Sequence, residues 1–140
     1  MDIKTLTAGL SVSPQITTSD IQAIKDAGFR AIICNRPDGE GADQPTFAEI
    51  ESAAKKIGIE ATYQPIVTGK VSDDDAAAFD RISTGLPGPV LAYCRSGTRS
   101  ATLWSLSQAK TRSVADILAA TKAAGYDMAG VVRRIVNGGE

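Results

Sequence analysis

Two rhythms of apolar residues alternate along this chain. Short unbroken or alternating apolar runs predict strands, and apolar residues returning every three or four positions predict helices. Residues 6–12 read as an opening strand. Thr18 or Ser19 can cap a helix carrying Ile21 and Ile24 inward, which Gly28 closes. The run 29–34 (FRAIIC) is a second strand, followed by the polar turn 35–41 (NRPDGEG). Thr46 and Glu49 form a capping box ahead of a helix whose buried face holds Phe47, Ile50, Ala54 and Ile57. Residues 59–67 form a third strand, its end loosened by Pro65. Asp73, Asp74 and Asp75 open a helix with Phe79 and Ile82 inward, and residues 85–88 turn the chain. Residues 89–93 (PVLAY) are a buried strand running directly into Cys94, with a helix from about Arg99 that carries Leu103, Trp104 and Leu106. Ser113 and Asp127 cap two closing helices, the last with Met128, Val131, Val132 and Ile135 at helical spacing. Alternating strands and helices with no linker or repeat predict one α/β domain over residues 1–140, a mostly parallel sheet flanked by helices. Ligands of such sheets bind beyond the carboxyl ends of the strands, where Cys34 and Cys94 both fall.

Composition narrows the chemistry. The chain contains no histidine, which excludes Ser-His-Asp, Cys-His and His-ligated metal mechanisms within it. Its two cysteines lack the spacing of a disulfide framework or a zinc site, so neither metal nor cofactor is expected. Fifteen basic against 16 acidic residues leave no polycation for nucleic acid or a membrane surface. Without a leader-like start or a long apolar run, the expected compartment is the cytoplasm. The oligomeric state is not legible.

The segment Cys94-Arg95-Ser96-Gly97-Thr98-Arg99-Ser100 is the most informative. A strand entering a short loop that wraps into a helix aims successive backbone N–H groups at one point, and Gly97 permits the dihedrals that this wrapping needs. Those groups, the helix dipole and the two arginines all favour a Cys94 thiolate and an anionic substrate. Cys94 is therefore the expected nucleophile, with Arg95, Ser96, Gly97, Thr98, Arg99 and Ser100 as its substrate-binding loop. Asn35, Arg36 and Asp38 form a polar turn at the same end of the sheet. Arg36 could add a donor and Asp38 could orient Arg36 or Arg99, or the turn is simply built from turn-forming residues. Trp104 reads as core, and Arg112, Arg133 and Arg134 read as solvated surface charge.

The nine residues from Tyr93 to Ala101 resemble the active-site loop of single-domain rhodaneses, which carry a persulfide on that cysteine. The Asp-Val-Arg and Gly-His features of rhodaneses are absent. The whole chain resembles the bacterial beta-lactamase-hydrolase-like, phosphatase-like domain family, through residues 33–40 (ICNRPDGE) and 87–100 (PGPVLAYCRSGTRS). That resemblance implies a dual-specificity-phosphatase-like architecture, with some members acting as sulfurtransferases or fused to persulfide dioxygenases. It also raises a protective Cys34–Cys94 disulfide or sulfur relay, against Cys34 as a small packed residue.

Cysteine phosphatases place five residues between Cys and Arg and a His before the Cys. Here four residues separate Cys94 from Arg99, Ser100 stands in the arginine position, and Tyr93 replaces the His. A phosphatase also needs an acid for the leaving oxygen, for which Asp73, Asp74 or Asp75 are the candidates. They serve equally well as helix caps. Thiosulfate and persulfides leave as stable anions and need no acid. The sequence therefore ranks thiol sulfur transfer through a Cys94 persulfide first, with a small sulfur-donor anion and a thiol acceptor as partners and a persulfide dioxygenase as a further one. A cysteine-dependent phosphatase comes second. A non-catalytic module that binds an anion or a protein partner comes third.

Overall fold

In the computed structural model, which describes residues 1–136, five strands form one sheet in the order β1-β2-β5-β3-β4. The strands are β1 (Lys4–Thr7), β2 (Leu10–Ser13), β3 (Ala31–Cys34), β4 (Glu60–Tyr63) and β5 (Val90–Tyr93). Only the β1–β2 pair is antiparallel; β2–β5, β5–β3 and β3–β4 are parallel. This is the mostly parallel, helix-flanked α/β architecture that the periodicity predicts. Residues 137–140 of the expected domain lie outside the described residues.

The opening strand is instead a hairpin. Thr7 Oγ1 accepts the N–H groups of Gly9 and Leu10 at 3.2 and 3.1 Å, and this local turn splits residues 6–12 between β1 and β2. The third predicted strand is also cut short, to Glu60–Tyr63, ahead of Pro65.

Helices α1 (Ile21–Asp26) and α2 (Phe47–Lys56) cover one face of the sheet. Helices α3 (Asp73–Gly85), α4 (Thr98–Ser107), α5 (Val114–Ala123) and α6 (Ala129–Val136) cover the other. The split follows from strand periodicity. Ile32, Cys34, Leu91 and Tyr93 point toward Ile21, Ile24, Ile50 and Ala54, while Ala31, Ile33, Val90 and Ala92 point toward Phe79, Leu103, Trp104 and Ile117. Both faces of β3 and β5 are buried throughout, as central parallel strands require. Trp104 is core, as expected, and carries Arg112 over its ring at 5.7 Å.

Three helix starts are fixed by their own first turns. Thr46 Oγ1 accepts from Glu49 N, Ser113 Oγ accepts from Asp116 N, and Ser72 forms a reciprocal box with Asp75. No described helix is long and apolar enough to cross a membrane.

Phe79 is fully buried between α3 and the sheet. Phe79→Ala should lower unfolding free energy by about 3–5 kcal/mol. Val67→Ser, on an exposed loop position, should change it by less than about 0.5 kcal/mol. Urea denaturation of both variants checks the contrast.

Candidate active site

Cys94 follows the last residue of the central strand β5, 1% exposed, at the carboxyl edge of the sheet. The loop from Arg95 to Gly97 then turns the chain into α4, which begins at Thr98. Its geometry is set from outside. The carbonyl of Arg95 accepts the N–H of Gln15 at 3.2 Å, and the carbonyl of Ser96 accepts the Tyr126 hydroxyl at 3.1 Å. A trans peptide holds its N–H opposite its carbonyl. Pinning the Ser96 carbonyl to Tyr126 therefore aims the Gly97 N–H the other way, where it donates to Cys94 Sγ at 3.1 Å. Fixing the Arg95 carbonyl orients the Ser96 N–H in the same manner. The first amides of α4 lack intrahelical partners by helix geometry, and that of Thr98 turns to Ser96 Oγ at 3.4 Å.

Gly97 has φ +92°, and a Cβ there would run into the Tyr126 hydroxyl. The position therefore requires glycine both for its dihedral and for the approach of Tyr126.

Arg99 lies in the first turn of α4, 7% exposed. It makes a bidentate pair with Glu40, Nη1 to Oε2 and Nη2 to Oε1, both at 2.8 Å, and Nη1 also donates to the Ile66 carbonyl at 2.8 Å. Arg36 donates to the same Glu40 carboxylate at 3.0 Å and to Gln15 Oε1 at 3.1 Å. One carboxylate thus fixes two guanidiniums. The Arg99 bonds, followed by those of Arg36, hold the Glu40 carboxyl below the usual range against an opposing push from burial. Glu40 in turn reinforces the charge on Arg99, to which the nearby Cys94 side chain adds.

The site opens onto a cleft of about 550 Å³. Arg95, Ser96, Thr98, Arg99 and Thr102 line it together with Thr68, Gly69, Val71 and Arg134. Four of the six residues expected in the binding loop thus reach the cleft wall. Gly97 contributes its amide. Ser100 does not reach the wall with its side chain: fully buried, its hydroxyl donates to Asn35 Oδ1 at 2.8 Å, tying α4 to the end of β3. Asn35 is spent on that bond and on the Gln64 carbonyl, at 3.0 Å.

Asp38 does not orient either arginine. Its carboxylate accepts the N–H of Phe47 at the start of α2, while its own N–H donates to the Tyr63 hydroxyl. The orienting role falls to Glu40, two residues on. The carboxylates at the start of α3 also have other duties. Asp75 completes the Ser72 capping box, and Asp73 pairs with Arg134 at 2.9 Å. Asp74 is exposed on the first turn of α3.

Cys34 is a free thiol, as is Cys94. Burial pushes the Cys34 thiol up, and its Sγ donates to the Arg36 carbonyl at 3.3 Å. It faces the α1–α2 side of the sheet with Tyr93. Burial, with Cys34 beside it, raises Tyr93 so that it stays a neutral phenol. Arg134 is the largest departure from the sequence reading. It is no solvated charge, because it donates to the Val71 carbonyl at 2.7 Å and reaches the cleft.

Two variants test this construction. Tyr126→Phe removes one hydrogen bond and should cost about 0.5–1.5 kcal/mol of stability. It should also lower activity, because the Gly97 amide loses its restraint. Glu40→Gln removes the anion between two guanidiniums. A carboxyl lowered by folding contributes stability above its unfolded range and loses that contribution as pH falls through its folded value. The acid-side fall in melting temperature should therefore be shallower in Glu40→Gln than in the parent, as a melting series from pH 7 to 3 would reveal.

Comparison with known proteins places this geometry among relatives. Residues 2–111 match the family described as beta-lactamase hydrolase-like protein, phosphatase-like domain. A beta-lactamase hydrolase-like protein of Xylella fastidiosa strain Temecula1 is 33% identical over 108 residues, covering 77% of this chain and 25% of that protein. The chain spans about a quarter of the length of the curated relatives it matches. A crystal structure of a candidate phosphatase from Neisseria meningitidis Z2491 superposes with a TM-score of 0.88 at 35% identity, covering 98% of each chain. A cysteine-to-serine form of TpbA from P. aeruginosa in complex with pTyr has a TM-score of 0.65 at 13% identity, covering 97% of this chain and 91% of that one, a likeness of fold alone. The architecture is dual-specificity-phosphatase-like. By the extent of the match and the identity of its relatives, the chain belongs to the phosphatase-like domain family of beta-lactamase hydrolase-like proteins.

Proposed function

We propose that this chain is a cysteine-dependent phosphatase that works through a Cys94 phosphate. The observation that carries the reading is that buried Cys94 Sγ accepts the Gly97 amide, at the start of a loop whose Arg95, Ser96, Thr98 and doubly anchored Arg99 line a cleft. Such a site suits a tetrahedral oxyanion. Sγ attacks phosphorus, an S–P bond forms, and the P–O bond to the leaving group breaks with its electron pair going to oxygen. Loop amides and Arg99 hold the non-bridging oxygens while charge spreads over them. Water then attacks phosphorus, the S–P bond breaks, and orthophosphate and the free sulfur are regenerated.

This reverses the order that loop spacing favoured. Spacing counts residues between Cys94 and Arg99, whereas the reaction depends on where the guanidinium sits. Glu40 and the Ile66 carbonyl fix it at the cleft wall next to the Cys94 loop despite the four-residue interval. The family and the phosphatase-like structural relatives support the same order.

The carboxylates of Asp73 and Asp75 are engaged at the start of α3, which leaves exposed Asp74 as the acid candidate there and otherwise favours leaving groups of low basicity, such as nitrophenolates. Sulfur transfer from thiosulfate or a persulfide to a thiol remains a second reading. The observation in its favour is that shared tolerance of an acid-free departure, together with Tyr93 in place of a preceding His.

Incubation with an aryl phosphate, followed by released phosphate and by intact mass after acid quench, tests the proposal. Steady turnover with a trapped phosphoenzyme is expected, and Cys94→Ser should reduce turnover by at least about 10³-fold. A gain of one sulfur from thiosulfate that cyanide reverses, without phosphate release, would transfer the assignment to sulfur transfer.

A further inference from the structure

Arg95 and Arg134 are more than a single phosphate needs. One tetrahedral anion on Cys94 is already served by the loop amides and Arg99. Yet two further guanidiniums, one from the loop and one from α6, line the same cleft with the hydroxyl-bearing Thr68, Ser96 and Thr98. Among the described residues lining that cleft there is no carboxylate, and Asp73 sits beyond Arg134 as its ion-pair partner. The polar groups of the wall are therefore donors suited to an anion. Arg134 holds the Val71 carbonyl and Asp73 through separate nitrogens, so it is presented by two fixed contacts rather than waving in solvent. A guanidinium held in this way is preorganised to bind a second anion.

We infer that the cleft takes a phosphoanhydride: the terminal phosphate seats on the Cys94 loop and the adjoining phosphate binds between Arg95 and Arg134. This rests on the phosphatase reading and names its substrate class. Sγ attacks the terminal phosphorus, the S–P bond forms and the bridging P–O bond breaks. The electron pair goes to the bridging oxygen of the departing phosphate. That phosphate is a weak base that leaves without an acid, and the two arginines neutralise the charge it gathers. Water then breaks the S–P bond and releases the second orthophosphate. A carboxylate-free wall thus performs two functions, recognition of the second anion and stabilisation of the leaving group.

The probes are inorganic pyrophosphate and orthophosphate, titrated calorimetrically into the Cys94→Ser protein, with phosphate release by the parent protein measured alongside. Pyrophosphate is expected to bind at least about 10-fold tighter than orthophosphate. In the Cys94→Ser background, Arg134→Gln and Arg95→Gln should each erase most of that preference, reducing pyrophosphate affinity about 10-fold and orthophosphate affinity far less. Asp73→Asn controls for a purely structural role of Arg134. It removes the ion pair but keeps the cation, so the preference should persist or grow. Were the preference lost equally in Asp73→Asn and Arg134→Gln, Arg134 would be a helix anchor and the inference would fall.

The two levels fail separately. Aryl phosphate turnover with equal affinity for pyrophosphate and orthophosphate overturns the second-anion site and leaves the phosphatase standing. Tight, Arg134-dependent pyrophosphate binding without hydrolysis of either substrate overturns the phosphatase and the phosphoanhydride reaction with it.

Discussion

The orientation of one peptide unit, between Ser96 and Gly97, governs the site. Turned by the Tyr126 hydroxyl on its carbonyl, it delivers its N–H to Cys94 Sγ. Rotating it by half a turn would aim a carbonyl at the sulfur and replace attraction with repulsion for any anion. The positive φ of Gly97, the bare Cα that lets Tyr126 approach, and the Gln15 contact one residue earlier all serve that single orientation. Sheet topology supplies the rest. The central strand ends at Tyr93, with β2 on one side and β3 on the other, so both flanking loops hydrogen-bond to the segment that follows Cys94.

Charge is arranged with comparable economy. Glu40 lies between Arg36 and Arg99 and keeps two cations close together that would otherwise repel. Arg36 then passes the restraint to Gln15, whose backbone N–H holds the Arg95 carbonyl. The turn after β3, the segment after β2 and the nucleophile loop are thereby one hydrogen-bonded unit. This explains how a chain without any imidazole can organise a cysteine site, because the polar work is distributed over guanidinium, carboxylate and backbone.

The strands, the helix caps and the Cys94 loop were legible because each is a local pattern. The short apolar run 29–34 marks β3, Thr46 and Glu49 announce α2, and Cys94 with Gly97 announces the anion cradle. The hairpin at Ala8 and Gly9 was missed because the apolar pattern runs through it, and only the Thr7 hydroxyl reveals the turn. Glu40 was overlooked in favour of Asp38, since both lie in one turn and their side chains diverge only in three dimensions. Tyr126 and Arg134 carried no local signal at all. Each meets the site across a sequence gap, Tyr126 on Ser96 and Arg134 on Val71, and such long-range contacts leave no trace in spacing.

Those last two residues lie beyond the stretch that the family model matches. That stretch, residues 2–111, contains Cys94, Arg99 and the Glu40 brace. The α5–α6 segment, downstream of that stretch, contributes Tyr126 and Arg134. On the proposed reading, the attacking sulfur and part of the second-anion wall therefore lie on different pieces of chain. Divergence in the downstream pair of helices can redraw the wall of the cleft while the attacking sulfur and its charge brace stay fixed. A relative with a different downstream segment must find another donor for the Ser96 carbonyl before its loop can hold the same shape.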